Sequence, residues 1–168
     1  MKIRILQATD IPALMQFELD NRAWFEQFIY GRGDAFYTRQ GIVQHVEECL
    51  NHFKAGLMYP ALILDDGDAM IGRINLRHID KEKSRADLGY RLASRAAGRG
   101  LATVAVQQIL QHARNELSLA QIDAYVTVDN PASSRVLSKN GFRLQQSVKE
   151  MSVINGLTLD GYHYVRTL

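Results

Sequence analysis

The stretch LASRAAGRGLA, Leu92 to Ala102, concentrates the residue types that hold phosphate. Gly98 and Gly100 bracket Arg99, Arg95 lies just upstream, and nothing between them is bulky. A strand-like run ends where the stretch begins and a helix-like run starts at Leu101. Backbone N–H groups around Gly98 to Thr103 would then stand unpaired at the positive end of a helix. Glycines let a ligand approach that backbone, and Arg95 and Arg99 add charge. The chemistry this suits is the cradling of a pyrophosphate. It is not a nucleotide P-loop, because no Gly-Lys-Ser/Thr ends it, nor the dinucleotide fingerprint, because the third glycine is missing. Taken alone, the loop also reads as a simple helix-starting turn.

Other reactive side chains point to less. Cys49 is the single cysteine, so no internal disulfide can form, and it falls in a helix-patterned stretch that assigns it to packing. His45 and His52 share a helix face but lack a carboxylate partner and close ligand spacing, so no metal is expected. Arg73, Arg77, His78, Lys81, Lys83 and Arg85 cluster near an expected hairpin turn and read as a solvated edge, with electrostatic guidance of an anionic ligand as a second role.

The elements that must position these residues follow from periodicity. Ile3 and Ile5 alternate with polar residues as a short strand, and Thr9-Asp10 before Pro12 starts a helix running to about Asn21. The aromatic-rich segment from Arg22 to Gln40 has no clean period and reads as a loop or broken helix. Ile42, Val46, Cys49, Leu50 and Phe53 recur at helical spacing, predicting a helix from about Gly41 to Lys54. Two strand-like runs then flank Asp65-Asp66-Gly67-Asp68, a compact hairpin signal. RADLGYRLA, Arg85 to Ala93, is a further strand. After the glycine loop come a helix from about Leu101 to Glu116, a strand QIDAYVTV, a short helix from Pro131 to Lys139, and two strands hinged at Asn155-Gly156. The expectation is one α/β (α+β) domain over residues 1–168, with a mixed, mostly antiparallel sheet and helices on both faces.

Arg95-x-x-Gly98-x-Gly100-x-Ala102 after LGYRL, followed by VTVDNPASSRVLSKNGF from Val126 to Phe142, resembles the GCN5-related N-acetyltransferases (GNAT). Asn130, Ser133, Arg135, Val136 and Gly141-Phe142, the late Asn-Gly with Asp160, and NRAWFEQF near the start are most similar to the RimJ/RimL branch, which acetylates ribosomal-protein N-termini. The resemblance covers essentially the whole chain. It implies acetyl-CoA as co-substrate, with the pyrophosphate at Gly98, Arg99, Gly100, Leu101, Ala102 and Thr103, and Arg95 nearby. It also implies a splayed pair of parallel strands, GYRL and AYVTV, that admits the pantetheine arm. Backbone groups of Tyr90, Arg91, Leu92 and Ala93 would hold that arm, an N–H near Leu92 would face the thioester oxygen, and Asn130 would contact the arm from the far side. Asn130 also suits the N-cap of the helix at Pro131, and the two roles are compatible.

Catalytic groups are carried over the same way. Many family members place an acid tyrosine where this chain has Leu137, and in RimL-like relatives a serine at the Ser133 position is the candidate acid. Ser133 also reads as a first-turn serine bonded to backbone. The glutamate base of RimL-like relatives falls at Ser152. Glu150, on the same face of a regular strand, and Asp87, on the strand before the loop, are the candidate bases, each with a solvated surface role as the alternative. Asp20 and Glu26 would suit orientation of a cationic acceptor.

Composition limits the classes. With 46% hydrophobic and 23% charged residues the chain has an ordinary globular balance. A net charge of +2 does not argue for nucleic acid. No apolar run reaches membrane-spanning length and the start lacks a signal-peptide core, so a cytoplasmic protein is expected. The leading reading is an N-acetyltransferase of a primary amine, most directly a peptide or protein N-terminal α-amine. A polyamine or antibiotic acceptor is the runner-up, and a non-catalytic acyl-CoA-binding module is the reading from a different class, supported by Leu137 and Ser152. Edge pairing by the C-terminal strand DGYHYVRTL suggests a homodimer.

Overall fold

The computed structural model describes Met1–Leu168. Its centre is a seven-stranded sheet in the order β1-β2-β3-β4-β5-β7-β6. The strands are β1 (Lys2–Ile5), β2 (Tyr59–Leu64), β3 (Met70–Asp80), β4 (Arg85–Leu92), β5 (Gln121–Thr127), β6 (Arg143–Ile154) and β7 (Leu157–Thr167). All neighbours are antiparallel except β4 and β5. The helices are α1 (Ile11–Asp20), the single turn α2 (Arg22–Phe25), α3 (Arg39–Lys54), α4 (Leu101–Asn115) and α5 (Pro131–Lys139). None is long and apolar enough to cross a membrane.

Local chemistry sets the boundaries. Pro12 lies in the first turn of α1, and the Thr38 hydroxyl caps α3 by accepting from the Gly41 N–H at 3.1 Å. The β2–β3 turn is tied by Asp65, whose Oδ1 accepts from the N–H groups of Gly67 and Ala69, each at 3.0 Å. At the β6–β7 turn, Asn155 and Gly156 both take positive φ, 51° and 77°, as a tight hairpin requires. The expected hairpins and helices are present, and the Arg22–Gln40 segment is the broken helix anticipated, with α2 and a 3-10 turn at Asp34–Tyr37.

The sheet sorts its side chains by alternation. Ile74 and Leu76 of β3 point toward α4, where the cross-strand neighbour Tyr59 packs on the His112 ring at 4.2 Å. Arg73 points the other way, meeting Glu18 of α1 and His45 of α3. The core fills the α4 side with Ala105, Val106, Ile109 and Ala113, and the α3 side with Ile42, Val46 and Cys49. Cys49 is thus a packing residue, 4% exposed.

Two expectations change. Arg73 is not part of a solvated edge: it is 3% exposed and ion-paired to the fully buried Glu18. A buried carboxylate needs such partners. The C-terminal strand β7 is also no edge, because it pairs β5 on one side and β6 on the other, leaving β6 outermost.

Candidate functional site at the parting of two strands

β4 and β5 run side by side only from Arg85↔Gln121 to Leu88↔Ala124, and then separate. Beyond that point β4 continues against β3, and β5 against β7. The Ala93 N–H bonds to Ile71 O at 2.9 Å, so antiparallel alternation turns the backbone groups of Leu92 and Tyr90 away from β3 and into the gap. The Leu92 carbonyl there accepts from Trp24 Nε1 at 3.1 Å. Its N–H faces the same opening.

On one side of the gap lies a cleft of about 440 Å³. Its floor is the glycine loop. Gly98 and Gly100 take φ of 73° and 76°, left-handed values suited to glycine, and a Cβ at either would meet nothing within 4 Å. The N–H groups from Gly98 to Thr103 donate to no acceptor in the protein, and α4 has no side-chain cap. A row of free donors at a helix start, with open space above them, fits a pyrophosphate. Trp24 and Phe28, edge to face at 5.0 Å, form the opposite wall.

Of the cofactor residues expected, Tyr90, Arg91, Leu92, Gly98, Gly100, Leu101, Ala102, Thr103 and Asn130 line this cleft. Three do not. Ala93 is 1% exposed and Arg99 is solvent-facing, while Arg95 reaches back to the Met70 carbonyl at 3.2 Å. Besides Arg91, two further cations line it, Arg135 and Lys139, one turn apart on α5; their i, i+4 spacing was the available signal. Trp24 was visible only as part of the NRAWFEQF similarity.

A second cleft, about 380 Å³, opens on the α1–α3 side of the gap and shares Phe28, Ile29, Tyr90, Arg91, Asn130 and Ser133 with the first. At this junction the Tyr90 hydroxyl lies 2.7 Å from Ser133 Oγ. Burial pushes the Tyr90 phenol up to about 12, with the Ser133 contact opposing the shift. It is therefore a held proton donor at neutral pH. Asn130 caps α5 by accepting from the Ser133 N–H at 3.1 Å, which fixes where the serine hydroxyl stands. Leu137, at the position of the usual tyrosine, is fully buried in the core. A phenol reaches the same junction from β4, where the sequence pattern pointed only to backbone contacts at Tyr90.

The carboxylates are arranged differently from expectation. Glu150 sits at φ 49° in the irregular stretch between Val148 and Ser152, and its N–H bonds to Asp160 Oδ1 at 3.0 Å. The regular-strand premise that placed it on the Ser152 face does not hold: Ser152 and Met151 line the second cleft, and Glu150 does not. Asp87 lies two residues before Gly89 on the face that carries Arg91, with its Oδ2 2.8 Å from His78 Nδ1. The Tyr125 phenol, which lines the second cleft, is raised first by burial and then by Asp87, but Asp87 itself lines neither cleft. Asp20 accepts from Gln16 and Glu26 from Arg22, and neither faces the cleft.

A parted parallel strand pair, a free-amide glycine loop and a cleft running through the gap define an acyltransferase of the GNAT class. A family profile described as "Acetyltransferase (GNAT) domain" matches residues 1–143, and the chain belongs to that family. "Probable N-acetyltransferase YjcK" of Bacillus subtilis is 31% identical over 94% of this chain and 88% of its own length. The "Ribosomal-protein-serine acetyltransferase" of Escherichia coli is 25% identical over 100% of this chain and 93% of its own. A solved structure of RimL, a ribosomal α-N-protein acetyltransferase in complex with coenzyme A, superposes with a TM-score of 0.92 at 25% identity, covering 99% of this chain and 93% of that one.

Proposed function

We propose that this enzyme transfers the acetyl group of acetyl-CoA to the N-terminal α-amine of a peptide or protein. The observation that carries this reading is the meeting of two clefts at Tyr90 and Ser133, where β4 and β5 part. The first cleft takes the donor, with the pyrophosphate on the N–H groups from Gly98 to Thr103 and the thioester carbonyl on the Leu92 N–H. The second takes the acceptor. The likeness to the E. coli ribosomal-protein-serine acetyltransferase and to RimL supports a protein α-amine.

The uncharged amine attacks the thioester carbon, and the Leu92 N–H stabilises the oxyanion that forms. The amine proton leaves through water toward Asp87 and its partner His78. As the carbon–sulfur bond breaks, Ser133 Oγ gives its proton to the sulfur and takes one from the Tyr90 hydroxyl, which regains its own from solvent in the cleft, so that no phenolate is left buried. An α-amine titrates near ~8, against ~10.4 for lysine, so a modest base suffices. Leu137 and Ser152 argued for a non-catalytic module, but Tyr90 supplies the hydroxyl that Leu137 lacks. Thiol release with a free-amine peptide, absent with its N-terminally blocked counterpart, is the expected result; equal release from both would overturn the reading.

A further inference from the structure

We propose that the second cleft selects an acceptor whose amine is accompanied by a carboxylate, which in a peptide is an acidic side chain among its first few residues. This rests on the function proposed above, which assigns that cleft to the acceptor.

The cleft is lined by Arg32, Arg73, Arg77 and Arg91 and by no aspartate or glutamate. Only one carboxylate stands behind these four guanidiniums. Glu18 is fully buried and pairs with Arg73 and with Arg91 Nη1, the latter at 3.2 Å. The neighbouring acids are committed elsewhere: Asp87 to His78, and Asp123 to His163 at 2.6 Å and to Gln121 at 3.0 Å. Arg73 and Arg91 are thus explained by the need to neutralise Glu18. Arg32, which Glu18 reaches only at longer range, and Arg77, whose cross-strand neighbour Asp87 bonds to His78, make no close ion pair of their own.

Their positions suit a ligand. Arg32 lies over the Phe36 ring, 4.4 Å from its centroid. The Arg77 guanidinium lies across Gly89, where even a Cβ would come within 3.3 Å of Nη2. Gly89 is the first β4 residue past the last pair with β5, so Arg77 stands at the mouth of the gap on the acceptor side. Apart from the arginines the walls carry no charged side chain, and half of the lining is apolar, including Phe28, Ile29, Leu88, Val126 and Met151. Like charges gathered against such walls repel one another unless an anion joins them. The field they make is felt by His45, held neutral down to about 3 first by burial and then by Arg73, Arg32 and Arg91. A polyamine carries the wrong sign for this cleft. A carboxylate-bearing acceptor has the right one, and its amine is driven toward the neutral form that attacks.

The test compares kcat/KM at saturating acetyl-CoA for C-terminally amidated peptides that differ only in glutamate, glutamine or lysine at the second position, with free glutamate and spermidine alongside. We expect glutamate to exceed glutamine by about tenfold and lysine to fall below both. Arg77→Gln should bring the glutamate-to-glutamine ratio toward one, as should raising the salt to about 0.5 M. Arg32→Gln should lower the ratio independently. A merely structural arginine would change stability or overall rate and leave the ratio alone. Peptides acetylated with no preference for glutamate, or a preference untouched by both variants, would overturn the inference while leaving the proposed function intact. Acetylation of free glutamate but of no peptide would overturn the proposed function and support the inference, and preferred acetylation of spermidine would overturn both.

Discussion

Replacing Gly98 or Gly100 by valine tests the donor site with two separable readouts. In the free protein a Cβ at either position meets no atom within 4 Å, so the cost to the fold comes from the left-handed backbone and not from a clash. That cost is about 1–2 kcal/mol. For a chain of this length each kcal/mol lowers Tm by roughly 2–4 °C, so the variants should melt several degrees lower and remain folded at room temperature. Binding is affected differently. The side chain would occupy the space over the N–H row from Gly98 to Thr103, and one charge-assisted hydrogen bond lost is worth about 1.5–3 kcal/mol. Coenzyme A affinity should therefore fall at least about tenfold per variant. Pantetheine, which carries the arm but no pyrophosphate, should bind the variants as it binds the unmodified protein. Calorimetry with both ligands decides it. Unchanged coenzyme A affinity, or an equal loss with pantetheine, would refute the assignment of the pyrophosphate to this loop.

Further expectations concern the chemistry and the fold. Ser133→Ala should lower kcat far more than it changes acetyl-CoA affinity, and Tyr90→Phe should lower kcat by about tenfold at unchanged affinity; full turnover in both under chemistry-limited conditions would remove the proton path. Asp87→Asn should slow the reaction and Glu150→Gln should not, with the rate of the unmodified enzyme rising with pH to a plateau near ~8. Folded His45 titrates at about 3 against 6.5 unfolded, so between those values the unfolded chain binds the extra proton. Its stability contribution is complete above 6.5 and declines as pH falls, by about 2 kcal/mol at pH 5 relative to pH 7. Chemical denaturation of His45→Gln at the two pH values should show a smaller loss than the unmodified chain. A homodimer joined strand to strand would use one of the two sheet edges, β1 or β6, and a concentration-independent monomer mass by light scattering would exclude it.

Much of the fold was legible because its signals are local. Pro12, Asp65-Asp66-Gly67-Asp68 and Asn155-Gly156 each dictate their own turn, and Ile42, Val46 and Cys49 mark a buried helix face. The glycine loop was legible for the same reason: its function lies in backbone geometry that glycine reports. What was not legible depends on contacts across the sheet. Nothing near Arg73 in sequence announces Glu18, fifty-five residues away, so a buried ion pair read as a charged edge. Tyr90 and Ser133, forty-three residues apart, meet only because β4 and α5 face each other across the gap. Glu150 was misplaced because strand parity fails at a bulge, and a bulge leaves little trace in side-chain types.

On the proposed function, the gap between β4 and β5 delivers acetyl to a peptide α-amine. The most direct measurement incubates the enzyme and acetyl-CoA with a peptide that has a free N-terminus, an acidic second residue and an internal lysine, and locates the product by tandem mass spectrometry. Acetylation at the N-terminal nitrogen alone is the predicted result. Acetylation confined to the lysine, or none while a small amine is turned over, would contradict that function.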